Sequence, residues 1–142
     1  MMKTINEIQE EIIEEFSGFD DWMDKYSLIM DMASSLEPLD EMYKNDANLI
    51  EGCQSTVWID ATLNEEGNII FTDDSDAVIV KGILALLLNV VSGHKPQEIL
   101  DSELYFINEI GLKEHLSPTR SNGLLAMVKQ MKVYAIAFSS KN

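Results

Sequence analysis

Cys53 is the only cysteine among the 142 residues and the side chain best suited to covalent chemistry. It lies in the segment Glu-Gly-Cys-Gln-Ser at residues 51–55, directly before a strand-like alternation. A thiolate becomes reactive when a cation, a metal or a helix N-terminus lowers its pKa. Glu51, two residues away, does the opposite, so activation must come from distant residues or from a partner. From the residues alone, an inert buried cysteine explains Cys53 equally well.

Other side chains could assist this thiol. Arg120, the only arginine, lies in the predicted first turn of the last helix, where backbone N–H groups also favour an anion. An exposed arginine paired with one of the many carboxylates is the alternative. His94 and His115 are the candidate bases of a Cys–His hydrolase or acyl transferase, but no cysteine-protease signature surrounds Cys53. A single cysteine also excludes a Cys-x-x-Cys redox pair and a site built from several thiolates.

Carboxylates cluster at Asp73, Asp74 and Asp76. They could suggest a site for a hard metal ion, but they lack the alternating ligands and distal glutamate of a calcium-binding loop. We expect them to form a turn that caps the next helix. We therefore expect no metal and no organic cofactor bound by the chain itself.

The hydrophobic periodicity predicts the elements that must position these residues. Helices are predicted over residues 5–17, 21–33, 39–44, 77–91, 96–100, 102–109 and 118–138. Alternating strands over residues 55–63 and 69–72 form a hairpin around the turn at 64–68, and a third short strand is predicted near residues 48–51. The sequence thus predicts an α+β fold, with a small antiparallel three-stranded sheet packed against helices in a single domain over residues 1–142.

Acidic residues dominate the charge, which is -15 overall, and residues 1–51 carry fourteen Asp or Glu against three Lys. An acidic surface repels nucleic acid and anionic membranes but attracts basic protein patches. The most apolar run, residues 77–91, is too short to span a bilayer, and the N-terminus lacks the apolar stretch of a signal peptide. We therefore expect a cytoplasmic protein with a reduced thiol.

Three blocks of this sequence resemble the SufE family, the sulfur acceptors of cysteine desulfurases. The first is Gly-Cys-Gln-Ser-Thr-Val-Trp at residues 52–58. The second covers residues 74–88, and the third covers residues 111–124 with His-Leu-Ser-Pro-Thr-Arg at its centre. The blocks stand in family order, and with the N-terminal helices they span nearly the whole chain.

The resemblance implies a fold shared with IscU-type scaffolds and a function as a sulfur carrier. Cys53 would take persulfide sulfur from a pyridoxal-phosphate cysteine desulfurase of the SufS or CsdA type, stimulating it, and pass the sulfur to an iron–sulfur scaffold of the SufBCD type. Asp76 and Arg120 would lie near the cysteine loop or the desulfurase surface, and Gln54 and Ser55 would shape that loop. The scaffold function does not carry over, because a cluster needs more cysteines.

Two other functions stay open at this point. The protein could be a non-catalytic adaptor that binds a desulfurase or another basic partner through its acidic surface. It could also be an independent cysteine enzyme, which would need His94 or His115. For a carrier, which acts with a partner rather than as an independent enzyme, we expect Cys53 to be partly shielded, since shielding protects a persulfide from stray thiols and peroxide.

Overall fold

The structure is a computed structural model that describes residues 3–36, 39–45, 48–50 and 56–139. The helices are α1 (Ile5–Ser17), α2 (Trp22–Met32), α3 (Val78–Val91), α4 (Pro96–Asp101), α5 (Phe106–Glu109), α6 (Leu112–His115) and α7 (Pro118–Ser139). Short 3-10 turns lie at Ala33–Ser35 and Glu41–Tyr43, and the strands are β1 (Val57–Leu63) and β2 (Ile69–Ser75). Helices, a hairpin and further helices follow one another, so the predicted α+β class is confirmed.

The first helix begins where its sequence predicts. The Thr4 side chain accepts a hydrogen bond from the Glu7 N–H, and the Glu7 carboxylate accepts one from the Thr4 N–H, both at 3.1 Å. This reciprocal capping box satisfies two N–H groups that have no partner within the helix. The helix ends at Gly18, and its buried face includes Ile5, Ile12 and Phe16.

The sheet contains two antiparallel strands within the described residues, paired from Val57 opposite Ser75 to Leu63 opposite Ile69. The predicted third strand is therefore wrong. Residues 48–50 form only an isolated bridge, in which Leu49 pairs with Trp58. The ladder stops there because the Asn48 N–H donates 3.1 Å hydrogen bonds back into the preceding turn, to the Asn45 carbonyl and side-chain oxygens.

Helix α3 is apolar on nearly all sides and lies at the centre of the core, between the hairpin and helices α1 and α2. Gly82 of α3 packs directly against Ile29 of α2. A Cβ atom on Gly82 would overlap the Ile29 carbonyl oxygen and lie 2.7 Å from the Ile29 Cγ2. Only glycine therefore allows the two helices to pack at this distance.

We expect Gly82→Ala to lower the free energy of unfolding by about 2 kcal/mol or more, because α2 must move away from α3. Urea denaturation measures this change. Gly18→Ala is the matched control: a Cβ there would lie 3.6 Å from the Glu15 carbonyl oxygen, an ordinary contact, and the backbone is already helical. The control should be neutral or slightly stabilising. Equal effects of the two substitutions would contradict this account of the α2–α3 contact.

No helix in the described part of the chain is both long and apolar enough to cross a membrane. The long apolar helix α3 is instead covered by its neighbours in the core, where Leu84, Leu87 and Val90 have no exposed surface.

Candidate functional site

The candidate site centres on the cysteine-bearing segment, residues 51–55. Cys53, Gln54 and Ser55 lie outside the described residues, as does Glu51. The structure describes the two flanks that hold the segment, which end at Ile50 and begin again at Thr56.

The N-terminal flank is fixed to β1 and to α7. The Ile50 N–H donates to the Val57 carbonyl at 2.9 Å, and the Ile59 N–H donates to the Asn48 carbonyl at 2.9 Å. The Tyr134 hydroxyl lies 3.0 Å from both the Asn48 side-chain oxygen and the Ile59 carbonyl oxygen. Ile50 is also buried, so hydrogen bonds and core packing both anchor this flank beside β1.

The C-terminal flank is fixed by Asp76 and Ser75. The Thr56 N–H donates to Asp76 Oδ1 at 3.1 Å, and the Asp76 N–H donates to the Thr56 carbonyl at 3.3 Å. The Ser75 hydroxyl donates to the same carbonyl at 2.7 Å. Asp76, a supporting residue expected from the sequence, is thus bonded to the first described residue after the cysteine segment.

Arg120 lies in the first turn of α7, as predicted. Its N–H donates to the Ser117 hydroxyl at 3.2 Å, and Pro118 is the first residue of the helix. Ser117 therefore caps the N-terminus of α7, and Pro118 occupies its first helical position.

Asp74 connects the sheet to two other parts of the chain. Its carboxylate accepts hydrogen bonds from the Leu39 N–H at 3.2 Å and the Ser75 N–H at 2.8 Å. The ammonium groups of Lys44 and Lys81 each lie 3.4 Å from one of its oxygens. Burial alone would raise the pKa of Asp74, but these hydrogen bonds and cations outweigh burial and lower the pKa below its usual range.

Lys44 also lies over an aromatic ring near the cysteine segment. Its ammonium is 5.3 Å from the centre of the Trp58 ring, and Trp58 pairs with Asp74 across the sheet. Burial opposes the charged form of Lys44, but its hydrogen bond to Asp74 and the charges of Asp74 and Glu41 raise its pKa. Sequence reasoning missed both lysines as contributors to this region. In the sequence, the one indication of such a contribution was Lys81, a lone lysine within the otherwise apolar helix α3.

The Asp73 side chain points to the face of β2 opposite to that of Asp74. There Asp73 pairs with Ile59 on the inner face of the sheet. It is 1% exposed, and neither carboxyl oxygen has a hydrogen-bond partner among the described residues. Burial, followed by the neighbouring charge of Asp74, raises the pKa of Asp73 well above its usual range. Burial without a hydrogen-bond partner therefore disfavours the charged form of Asp73.

The expected capping function of these aspartates is wrong. Asp73, Asp74 and Ser75 belong to strand β2, and α3 begins after Ala77, whose side chain makes no capping hydrogen bond. The strand continues because burial and the Asp74 contacts stabilise the extended backbone. Within the described ranges, no three His, Cys, Asp or Glu side chains are close enough to hold a metal ion.

Both histidines have structural partners. His94 is buried, and its Nε2 lies 2.9 Å from the Lys3 carbonyl oxygen. The ring of His115 stacks on Trp22 with centroids 4.1 Å apart, and its Nδ1 lies 2.8 Å from the Gly111 carbonyl oxygen. Each imidazole thus has a structural contact, whereas the buried Nδ1 of His94 has no hydrogen-bond partner among the described residues.

The fold and the flanks define an α+β protein in which a helix-packed hairpin carries a segment with a lone thiol. A solved structure with the same fold is the solution structure of a hypothetical protein from Thermus thermophilus. The match has a TM-score of 0.77 at 18% identity and covers 94% of this chain and 96% of that chain. At this identity the similarity supports the fold alone.

The family model described as "SufE: Fe-S metabolism associated domain" matches residues 10–135. The chain therefore belongs to the SufE family, as its three sequence blocks indicated, and this membership connects it with iron–sulfur metabolism.

We expect Asp73→Asn to stabilise the protein increasingly as pH rises. Because the folded-state pKa of Asp73 is raised, its contribution to stability is greatest below the unfolded pKa of about 4 and is lost as pH rises through the folded value. The neutral amide removes this loss, so its advantage should reach about 1 kcal/mol or more at pH 8. Urea denaturation between pH 4 and pH 8 measures it.

Asp74→Asn is the matched control, with the opposite sign. Its lowered pKa means that its stabilisation is present above the unfolded pKa and is lost as pH falls through the folded pKa. The substitution should therefore destabilise the protein by about 1–3 kcal/mol at pH 7 and by less near pH 3. The same pH trend for both variants would contradict the assignment of the two carboxyl groups.

We expect Asp76→Ala to make Cys53 more reactive. The substitution removes the hydrogen bond that holds the Thr56 N–H, and a bond of about 1 kcal/mol corresponds to about a fivefold change in an opening equilibrium. The rate of Cys53 alkylation by iodoacetamide measures the effect. Glu65→Ala, in the exposed hairpin turn, is the control. An unchanged alkylation rate in Asp76→Ala would show that this anchor does not protect the thiol.

Proposed function

We propose that this protein is a sulfur carrier that takes persulfide sulfur onto Cys53 from a cysteine desulfurase of the SufS or CsdA type. One observation carries the proposal: the SufE family model spans residues 10–135, and Cys53 is the only cysteine in the chain. Any thiol chemistry that belongs to this family must therefore use Cys53.

The transfer is a thiol–persulfide exchange. The Cys53 thiolate attacks the terminal sulfur of the desulfurase persulfide, forming a new S–S bond. The original S–S bond breaks, and the desulfurase cysteine leaves as a thiolate. The proton released by Cys53 balances the one that the leaving thiolate takes up, and no external oxidant is needed. A second exchange would deliver the sulfur to an iron–sulfur scaffold of the SufBCD type.

The described flanks support this function by holding both ends of the cysteine segment. Cys53 is three residues from Ile50 and three from Thr56, and three extended residues span at most about 11 Å. Both neighbours are hydrogen-bonded to the hairpin or to Asp76. In this proposal Asp76 and Arg120 support the segment or contact the desulfurase, and Gln54 and Ser55 shape it.

The proposal also includes the remaining expectations from the sequence. The chain acts as a single domain over residues 1–142 in the cytoplasm, where its one thiol stays reduced. It binds no metal or organic cofactor of its own, and it does not act on nucleic acid or membranes. It works with the desulfurase, stimulating it by removing the persulfide, rather than as an independent enzyme.

A non-catalytic adaptor is the second candidate, favoured by the exposed carboxylates of α1. Glu10, Glu11, Glu14 and Glu15 are all exposed, which suits contact with a basic protein surface. An adaptor needs no thiol, so Cys53→Ser separates the two functions.

We expect intact-protein mass spectrometry to show a gain of one or more sulfur atoms after the protein is mixed with a SufS-type desulfurase, pyridoxal phosphate and cysteine. The gain should be reversed by reductant and absent from Cys53→Ser, because serine cannot form a persulfide. Desulfurase turnover should rise with the unmodified protein only. If several active desulfurases transfer no sulfur to a free Cys53 thiol, the carrier function is wrong; stimulation that survives in Cys53→Ser would favour the adaptor.

A further inference from the structure

The outer face of α7 is unusually apolar for an exposed helix surface. Leu125, Val133 and Ile136 are 48%, 45% and 57% exposed, although the opposite face of the helix is already buried in the core. A helix with apolar residues on both faces is expected to be covered on both. The part of this face around Val133 borders a groove and marks a surface that a partner could cover, whereas Ile136 lies outside that groove.

Part of this face forms a groove beside the N-terminal flank of the cysteine segment. The groove has a volume of about 370 Å³, and we call it the α7 groove. Its lining residues are Leu49, Ile50, Ala126, Lys129, Gln130 and Val133. Ile50 is the last described residue before residues 51–55, so the groove reaches the N-terminal flank of the cysteine-bearing segment.

Among the described residues that line the groove, the charged one is basic, Lys129, whereas the protein as a whole has a net charge of -15. All 25 Asp and Glu residues lie at or before Glu114, so α7 carries none. Lys129 is exposed in the groove and makes no ion pair within the described part of the chain. An exposed cation bordered by apolar side chains is complementary to an apolar segment that carries a carboxylate.

We infer that the α7 groove docks the cysteine desulfurase, through a desulfurase segment that presents apolar side chains and at least one carboxylate. This inference rests on the proposed function and adds the partner contact. Apolar burial against Leu49 and Val133 supplies affinity, and Lys129 selects the acidic segment. The groove thus holds the sulfur donor beside the segment that contains Cys53.

The test is the dissociation constant of each variant for a SufS-type desulfurase in its pyridoxal-phosphate form, measured by calorimetry. Val133→Asp should weaken binding by about tenfold or more, because a new negative charge faces the partner carboxylate in an apolar contact. Lys129→Glu should weaken binding about threefold or more at low salt, and less at high salt.

Two matched controls accompany these variants. Ile136→Asp introduces the same charge on the same helix outside the α7 groove, and Lys95→Glu reverses an exposed lysine elsewhere. Both should bind as the unmodified protein does. Urea denaturation verifies that all four variants are folded, which their exposed positions favour.

The inference is overturned if the groove variants bind normally, if Ile136→Asp weakens binding as much as Val133→Asp, or if the unmodified protein does not bind the desulfurase. Gel filtration of the protein alone tests a second copy as the occupant: a dimer that Val133→Asp dissociates would also overturn it.

Mass spectrometry of Cys53 on the same mixtures separates the two proposals. If Cys53 receives sulfur but the groove variants bind the desulfurase normally, only the docking site is refuted. If the groove variants weaken binding but Cys53 of the unmodified protein receives no sulfur, only the carrier function is refuted.

Discussion

Asp74 is a buried carboxylate whose contacts determine how the elements around the candidate site meet. Removing an unpaired charge from water is expensive, so a buried Asp is tolerated only with hydrogen bonds and nearby cations. Asp74 has both: two backbone N–H groups and the ammonium groups of Lys44 and Lys81. Through these partners one side chain joins β2 to the turn at Glu41–Tyr43 and to α3. The hairpin that flanks the cysteine segment therefore depends on an interaction outside the segment itself.

The adjacent Asp73 shows how strand geometry gives identical residues different chemistry. Successive side chains of a strand point to opposite faces, so Asp74 meets lysines while Asp73 faces the core beside Ile59. The pKa of Asp74 is lowered, and the pKa of Asp73 is raised. These opposite pKa shifts follow from the two faces of the sheet. Two adjacent aspartates therefore make opposite contributions to the dependence of stability on pH.

Much of the fold could be predicted because its signals are local. The capping box of α1, the alternation of β1 and the Ser-Pro start of α7 each depend on residues within one or two turns. Features set by distant contacts could not be predicted. Asp73 and Asp74 resemble a helix cap locally, and only tertiary burial keeps them in β2. Gln9 looks like a surface residue, yet its amide is fully buried and bonds to the Phe106 N–H and the Glu103 carbonyl.

The candidate site was also predictable only where its signals are local in the sequence. Cys53 stands out by chemistry and family resemblance, whereas the positions of Lys44 and Lys81 around Asp74 required the three-dimensional structure. The hydrogen bond from the Ile50 N–H to the Val57 carbonyl has a further consequence for evolution. It closes the chain on either side of the cysteine segment through backbone atoms alone, whatever side chains lie between. Doubling the length of such a closed stretch adds only about 0.6 kcal/mol of closure entropy. The reactive segment can therefore change in length and composition while the hairpin beneath it stays the same.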